Sequence, residues 1–452
     1  MPRALALAVL LAALLAPAAL AGSPRILHVH RDVAAPGDGS SWDSAFARLQ
    51  DALAVASPGD RLWVAEGRYF GGFDVPAGVA ILGGFPPGAF RETQRSPRRH
   101  PVVLDGGRVE RVLVLNDGSL VDGLVIENGR ADFPGGGGAL VDGTSPILRK
   151  CLFRENRNTA GRGAALAVRE RGNPLVQSCA FVNNRGSGHA VDVDRAGGTY
   201  DHIVVHGNTS NGFHIQRASD PKIHNSVFSR NSGRGVCVIH GTDTPIVENN
   251  LFHENQVAIY HSRGFDLRTI EEVNALSYAR DNLDADPMFM DVSRLDFRLQ
   301  PGSPCIEAGV AFEDDLLLDA HGNPRALDGD LDGVIATDIG FLEYCNLDLD
   351  VQGEVVPGGT ITVTVTGTER LNLLFTAGFT PGSFEAIAPL GAWALSGAPG
   401  VRLIPAGTIP FAADLRIPAR LTAGTGIVVQ AAGYLGRQQG NLSNYLDLVV
   451  GE

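Results

Sequence analysis

The sequence predicts an all-β chain: a parallel β-helix of coils about 24 residues long, closed at its start by a short helical cap and followed by a C-terminal β-sandwich. Three observations predict it. An apolar pivot recurs at Ile126, Phe153, Phe181, Val205, Phe228 and Phe252, with steps of 27, 28, 24, 23 and 24 residues. A second motif, glycine followed by alternating residues, lies between the pivots at 137–142, 163–168, 188–193, 212–217 and 235–240, with a degenerate copy at Val257 to His261. After Cys345 the composition turns to Val, Ile, Thr, Gly and Pro.

A period in the low twenties, carrying short strands and no helical spacing, describes one turn of a solenoid. A single turn cannot bury its inner face; stacking turns at ~4.8 Å makes a continuous core. The fixed leucine-asparagine pattern of leucine-rich repeats is absent. Alternation assigns Leu140, Leu166, Val191, Ile215, Val238 and Ile259 to one inward column and the pivots to another, leaving Ala139, Ala165, Ala190 and Ala258 outside. A third column is polar: Asn128, Asn156, Asn184, Asn208, Asn231 and Asn255 each follow the pivot by two or three residues. Asn tolerates left-handed backbone, and its amide can bond to the Asn above and below, so this column reads as a structural ladder at a coil corner.

The first residues speak to compartment. Arg3, the apolar run Ala4 to Leu15, Pro17 and the small-residue site Ala19-Leu20-Ala21 have the layout of a signal peptide spanning 1–21. No later apolar stretch approaches membrane-span length. The expectation is a secreted or cell-surface protein, monomeric and without a membrane span. Net charge is −13, and −14 once Arg3 is removed, which argues against nucleic acid or anionic membrane as partners. Five cysteines in so long a chain do not make a disulfide scaffold.

The flanks sharpen the reading. Ser41 to Ala56 carries Phe46, Leu49, Leu53 and Ala56 on one helical face, suited to plugging an open solenoid end; Pro58-Gly59-Asp60 and Val64 to Tyr69 follow. These residues and the coils resemble the right-handed, single-stranded parallel β-helix of the pectate-lyase-like superfamily. Downstream, Asp286 to Phe289, Leu295 to Leu299, Gly302 to Ile306 and Asp338 to Glu343 resemble the final coil of the exported group called choice-of-anchor Q. The resemblance spans roughly residues 26 to 345 and implies one unit from 22 to 345. Residues 346–452 form the second, where Thr360 to Val365 and Leu446 to Val450 alternate as sandwich strands do.

Asp328-Gly329-Asp330-Leu331-Asp332-Gly333 matches the front half of a calcium loop, and Asp338 falls at position 11, so these four carboxylates are the candidate site for a structural Ca²⁺. Zinc is disfavoured: His202 and His206, four apart in a strand, lie too far from each other to chelate together, and the histidines read as scattered on the surface. Cys151 and Cys179 occupy equivalent inward places, Cys305 and Cys345 bracket the closing segment and could bridge, and Cys237 is then unpaired.

Enzymes of the resembled superfamily carry catalytic groups on the outside of one strand column. On the outward positions of the glycine-led segments, Asp192, Asp194 and His214 are the candidate catalytic residues, with Gln216, Arg217, His240 and Tyr260 as candidate substrate contacts. They could serve glycoside cleavage as an acid and base, or β-elimination with His214 as base. The superfamily's paired Asp before Gly-His-Gly and Arg-x-Lys do not appear. The favoured expectation is a non-catalytic, exported protein that binds polysaccharide or a cell-surface glycan. The alternative is a polysaccharide lyase or glycoside hydrolase.

Overall fold

The computed structural model describes residues 24–345 apart from 312–317, 324 and 329–333, and beyond them nine strands between Leu347 and Val449. The signal-peptide segment lies outside the described residues.

Each coil lays one strand into each of three parallel sheets, of ten, nine and nine strands. One coil runs Ile147–Arg149 in the first sheet, Leu152–Arg154 in the second and Leu166–Arg169 in the third. The pivots stack as the spacing requires: Ile126, Phe153, Phe181, Val205, Phe228 and Phe252 pair in register along the second sheet. All six are fully buried, and Phe153 stacks on Phe181 with ring centres 4.9 Å apart. Cys151 and Cys179 are buried beside them.

The asparagine ladder is present over five coils. The side-chain amide of Asn156 donates to Asn184 Oδ1, Asn184 to Asn208, Asn208 to Asn231 and Asn231 to Asn255, at 2.9–3.1 Å. Each amide also donates to the pivot carbonyl of the coil before, as Asn208 does to Phe181. Asn128 stands outside the ladder: it bonds Asp105 and Glu127, and Gly129 takes the ladder place by donating its N–H to Asn156. The left-handed residue at the corner is not the ladder Asn but its predecessor: Asn128, Glu155, Asn183, Gly207, Arg230 and Glu254 all have φ between 46° and 65°.

In the third sheet the inward column differs from the one the alternation predicts. The register runs Ala139, Leu166, Val191, Phe213, Val236, Tyr260, with Val141, Val168, Val193, Ile215 and Val238 as its second inward line. Leu140 therefore points outward, level with Ala167, Asp192 and His214, while Ala139, Ala165, Ala190 and Ala258 are buried. Ile259 is only partly buried. The cause is that glycine does not mark register: the first inward residue follows it by two positions at Gly137, three at Gly163 and one at Gly212. A one-residue slip sends every side chain to the other face.

Both ends are closed. Leu49–Val55 forms the cap helix, shorter than its apolar face suggested, with Leu49, Ala52 and Leu53 buried against the first coils. At the far end Phe265–Leu267 turns back antiparallel on Ala258–Ser262, and a five-residue helix, Ile270–Asn274, follows. Thr269 and Glu272 form its capping box.

The segment expected to be a final coil is instead a strap. The described residues between 285 and 344 fold back over the outer face of the second sheet, where Phe297, Leu299, Cys305, Ile339 and Tyr344 cover Ala180, Val182, Val204, Val227 and Leu251. Thr337 bonds His202, Arg325 bonds Ser178, and Val310 exchanges two hydrogen bonds with Asn225. The outward column Ala180, Val204, Val227 and Leu251 is apolar and requires cover as the inward pivots do. His202, His206 and His224 are buried beneath the strap or at its edge, not scattered on the surface. Cys305 is a buried thiol, so the bridge to Cys345 is not formed. Beyond the strap, the C-terminal strands pair in antiparallel sheets of three and four, with a separate two-stranded hairpin.

Two outcomes follow. Asn208→Ala removes two donations and leaves the Asn184 amide without its acceptor. It should cost on the order of 2–4 kcal/mol in denaturant unfolding, whereas a loss below about 0.5 kcal/mol would mean the ladder is ornamental. Burial lowers the His206 pKa to about 4. The unfolded chain thus binds a proton that the folded one refuses, so stability should fall as pH drops from about 6.5 toward 4. His206→Gln should flatten that limb of a melting-temperature profile.

Candidate functional site

The outer face of the third sheet carries the candidate residues because its register puts polar side chains above one another. Asp192 pairs with His214 and Asp194 with Gln216 in adjacent strands, and His214 continues to Cys237 and His261. Asp192 Oδ1 accepts from His214 Nδ1 at 2.7 Å and from Gln216 Nε2 at 3.1 Å, so His214 carries its proton on Nδ1. Asp194 Oδ2 is held by Arg162 at 2.8 Å and Arg217 at 3.4 Å. Asp192, Asp194, His214 and Gln216 therefore lie together, with Asp192 level with His214 and not over Gln216. Both carboxylates are nearly closed to solvent, at 2% and 6% exposure.

The predicted outer contacts divide. Arg217 lies at the strand end, and its backbone N–H donates to His240 Nδ1 at 3.1 Å, so these two sit together at the rim. Tyr260 does not join them. It takes the inward place above Val236 and is fully buried, because the glycine-led count set it one residue out of phase.

Five neighbours were not singled out from the sequence. Arg162, Arg169 and Arg195 line a small cleft with Asp192, Asp194, Arg217 and the loop residue Phe133. The cleft holds about 40 Å³, room for roughly one water. Phe133 is 70% exposed, with the Arg169 guanidinium 5.3 Å from its ring centre. The charges balance: Arg162 and Arg217 pair with Asp194, Arg169 with Asp142 and Glu170, and Arg195 with Glu170. Asp194 Oδ1 faces this region without a hydrogen-bond partner among the described residues.

His189 is the fifth. Its ring stacks on His214 with centres 3.9 Å apart and planes at 23°. Burial, then the neighbouring His214, lowers its pKa to about 3, so it is neutral. His189, Asp192 and His214 are the group among the described residues close enough to share a metal ion. Near-parallel rings aim their lone pairs side by side, and both Nδ1 atoms are engaged, His189 with Ser210 and His214 with Asp192. The trio is thus a hydrogen-bonded stack. The signal for His189 was its place at the head of a glycine-led segment, opposite Ala164.

Farther up the same face, Cys237 lies between His214 and His261, and His261 bonds Asp266, which also holds Arg234. Burial raises the Cys237 thiol to about 11, so it is no nucleophile at neutral pH. Of the calcium candidates, Asp330 and Asp332 lie outside the described residues. Asp328 is buried at the strap. Asp338 is buried too, and accepts from the backbone N–H groups of Glu307 and Tyr344. Burial, then the Glu343 charge, pushes the Asp338 carboxyl well above the usual range.

A family model described as a right handed beta helix region matches residues 137–272. Among solved structures, pectate lyase Pel9A is similar at 14% identity and a TM-score of 0.41, over 71% of this chain and 97% of the other. A deglycosylated pectin methylesterase from Aspergillus niger is similar at 13% identity and 0.27, over 54% of this chain and 94% of the other. A tailspike protein of an Acinetobacter baumannii bacteriophage, a capsular polysaccharide depolymerase, is similar at 9% and 0.23, over 94% and 86%. No curated protein matches the sequence. The matched family model and the three stacked sheets together show a right-handed parallel β-helix.

Proposed function

We propose that the protein is exported and binds a polysaccharide along the outer face of the third sheet without cleaving it. One observation carries the preference for binding over turnover. The two carboxylates that a glycosidase would need are already held by His214, Gln216, Arg162 and Arg217 and are nearly closed to solvent. The groups that remain open around them, Phe133, Arg195, Arg217 and His240, suit a sugar ring and its hydroxyls. A charge-balanced cleft favours a glycan recognised by hydrogen bonds at this place.

The second reading is a polysaccharide lyase or glycoside hydrolase. It rests on the unpartnered Asp194 Oδ1 and on the Asp192–His214 pair, which orients an imidazole as a base requires. Screening the purified mature chain against neutral and acidic polysaccharides separates the two. Retention on a glycan with no reducing ends or unsaturated products, weakened about tenfold by Phe133→Ala, is the expected outcome. Product release that Asp192→Ala abolishes would replace binding with catalysis.

We also propose that the acidic turn from Asp328 to Asp338 holds a structural Ca²⁺, on the strength of its carboxylate spacing. Millimolar calcium should raise the melting temperature by a few degrees, chelator should reverse the gain, and Asp330→Asn should remove it. An unchanged melt would overturn the calcium assignment.

A further inference from the structure

A second surface differs from the cleft in its charge. Between the second and third sheets lies a short parallel sheet of Arg130–Ala131, Arg157–Asn158 and Arg185–Gly186. Arg130 pairs with Arg157, and Arg157 with Arg185, so three guanidinium groups rise from one face in consecutive coils at ~4.8 Å intervals. Arg108 lies beside them on the coil before, and the four arginines line a groove of about 340 Å³. Its one lining carboxylate is Glu155, which pairs with Arg185 at 3.0 Å.

Like charges directly opposite on neighbouring strands are destabilising. The chain carries −13 overall, yet this corner sets four arginines against one glutamate. At the first cleft every arginine has an acid; here Arg130 and Arg157 have none among the residues lining the groove. The other face of the same strands is tied down: Asn158 is buried and bonds the carbonyls of Ala131 and Asp132, which fixes the arginine positions from behind.

We propose that this arginine ladder is a binding site for a glycan bearing tetrahedral oxyanion esters, sulfate or phosphate. A planar carboxylate is saturated by one guanidinium fork. A tetrahedral ester offers three acceptor oxygens, as a phosphate group does, and two arginines on successive coils can share it. A polymer running along the solenoid axis meets a fresh arginine at each coil. The site stands on a different face from the polysaccharide cleft and does not depend on it.

The test holds the polymer backbone constant and changes the substituent. Dextran, carboxymethyl-dextran, dextran phosphate and dextran sulfate are titrated into the full chain by calorimetry, with single-stranded DNA and inorganic phosphate as further probes. Dextran sulfate or dextran phosphate should bind at least ten times more tightly than carboxymethyl-dextran, the better of the two naming the ester, and binding should weaken with salt. Arg130→Ala with Arg157→Ala should lower affinity by roughly ten-fold or more, with an unchanged melt. Glu155→Gln, which removes the competing carboxylate, should tighten binding. Equal binding of carboxymethyl-dextran, tighter binding of DNA, competition by inorganic phosphate as effective per charge as the polymer, or indifference to the double substitution would each overturn the proposal.

Discussion

Everything in this molecule depends on like side chains landing above like from one coil to the next. No coil is stable alone, because its strands are three or four residues long and its corners leave backbone groups to satisfy. The ladder from Asn156 to Asn255 solves both difficulties at once. Each amide joins its neighbour in the next coil and reaches back to the pivot carbonyl of the previous one. The Phe column beside it supplies apolar contact at the same period. Register is thereby fixed at one corner, and the third sheet inherits it across a loop of changing length.

That inheritance explains which features were legible in the sequence. The pivot lies two residues before the left-handed corner and the ladder Asn directly after it, so counting along the chain found them. The third strand follows a loop that varies between coils, and counting from its glycine misplaced Leu140 and Tyr260 by one residue each. The polar patch was still found, because Asp192, Asp194, His214 and Gln216 alternate with Val191, Val193, Phe213 and Ile215 in a way that needs no glycine as reference. Arg162, Phe133 and His189 were out of reach. They come from loops or segment heads, and only the folded coil brings them to the carboxylates.

The three sheets are not alike on their outer faces, and the difference assigns them tasks. The second sheet carries an apolar outward column, Ala180, Val204, Val227 and Leu251, which the described residues of the strap cover. The third sheet is polar, internally paired and open at its rim. The short sheet between them is cationic in an acidic chain. A sequence expectation of one final coil missed this division, since motifs such as Asp286 to Phe289 report that a closing segment exists but not which face it covers.

The account stands or falls on where a ligand touches. Hydrogen–deuterium exchange of the mature chain, with and without a polysaccharide that it retains, reads this directly. Added protection should concentrate in 188–195, 212–218 and 234–241, at the open rim of the third sheet, while the strap and the second sheet exchange as before. Protection gained instead across 285–344, or in the second-sheet strands beneath it, would mean that the strap is a lid over the true site and that the outer Asp–His face is only structure.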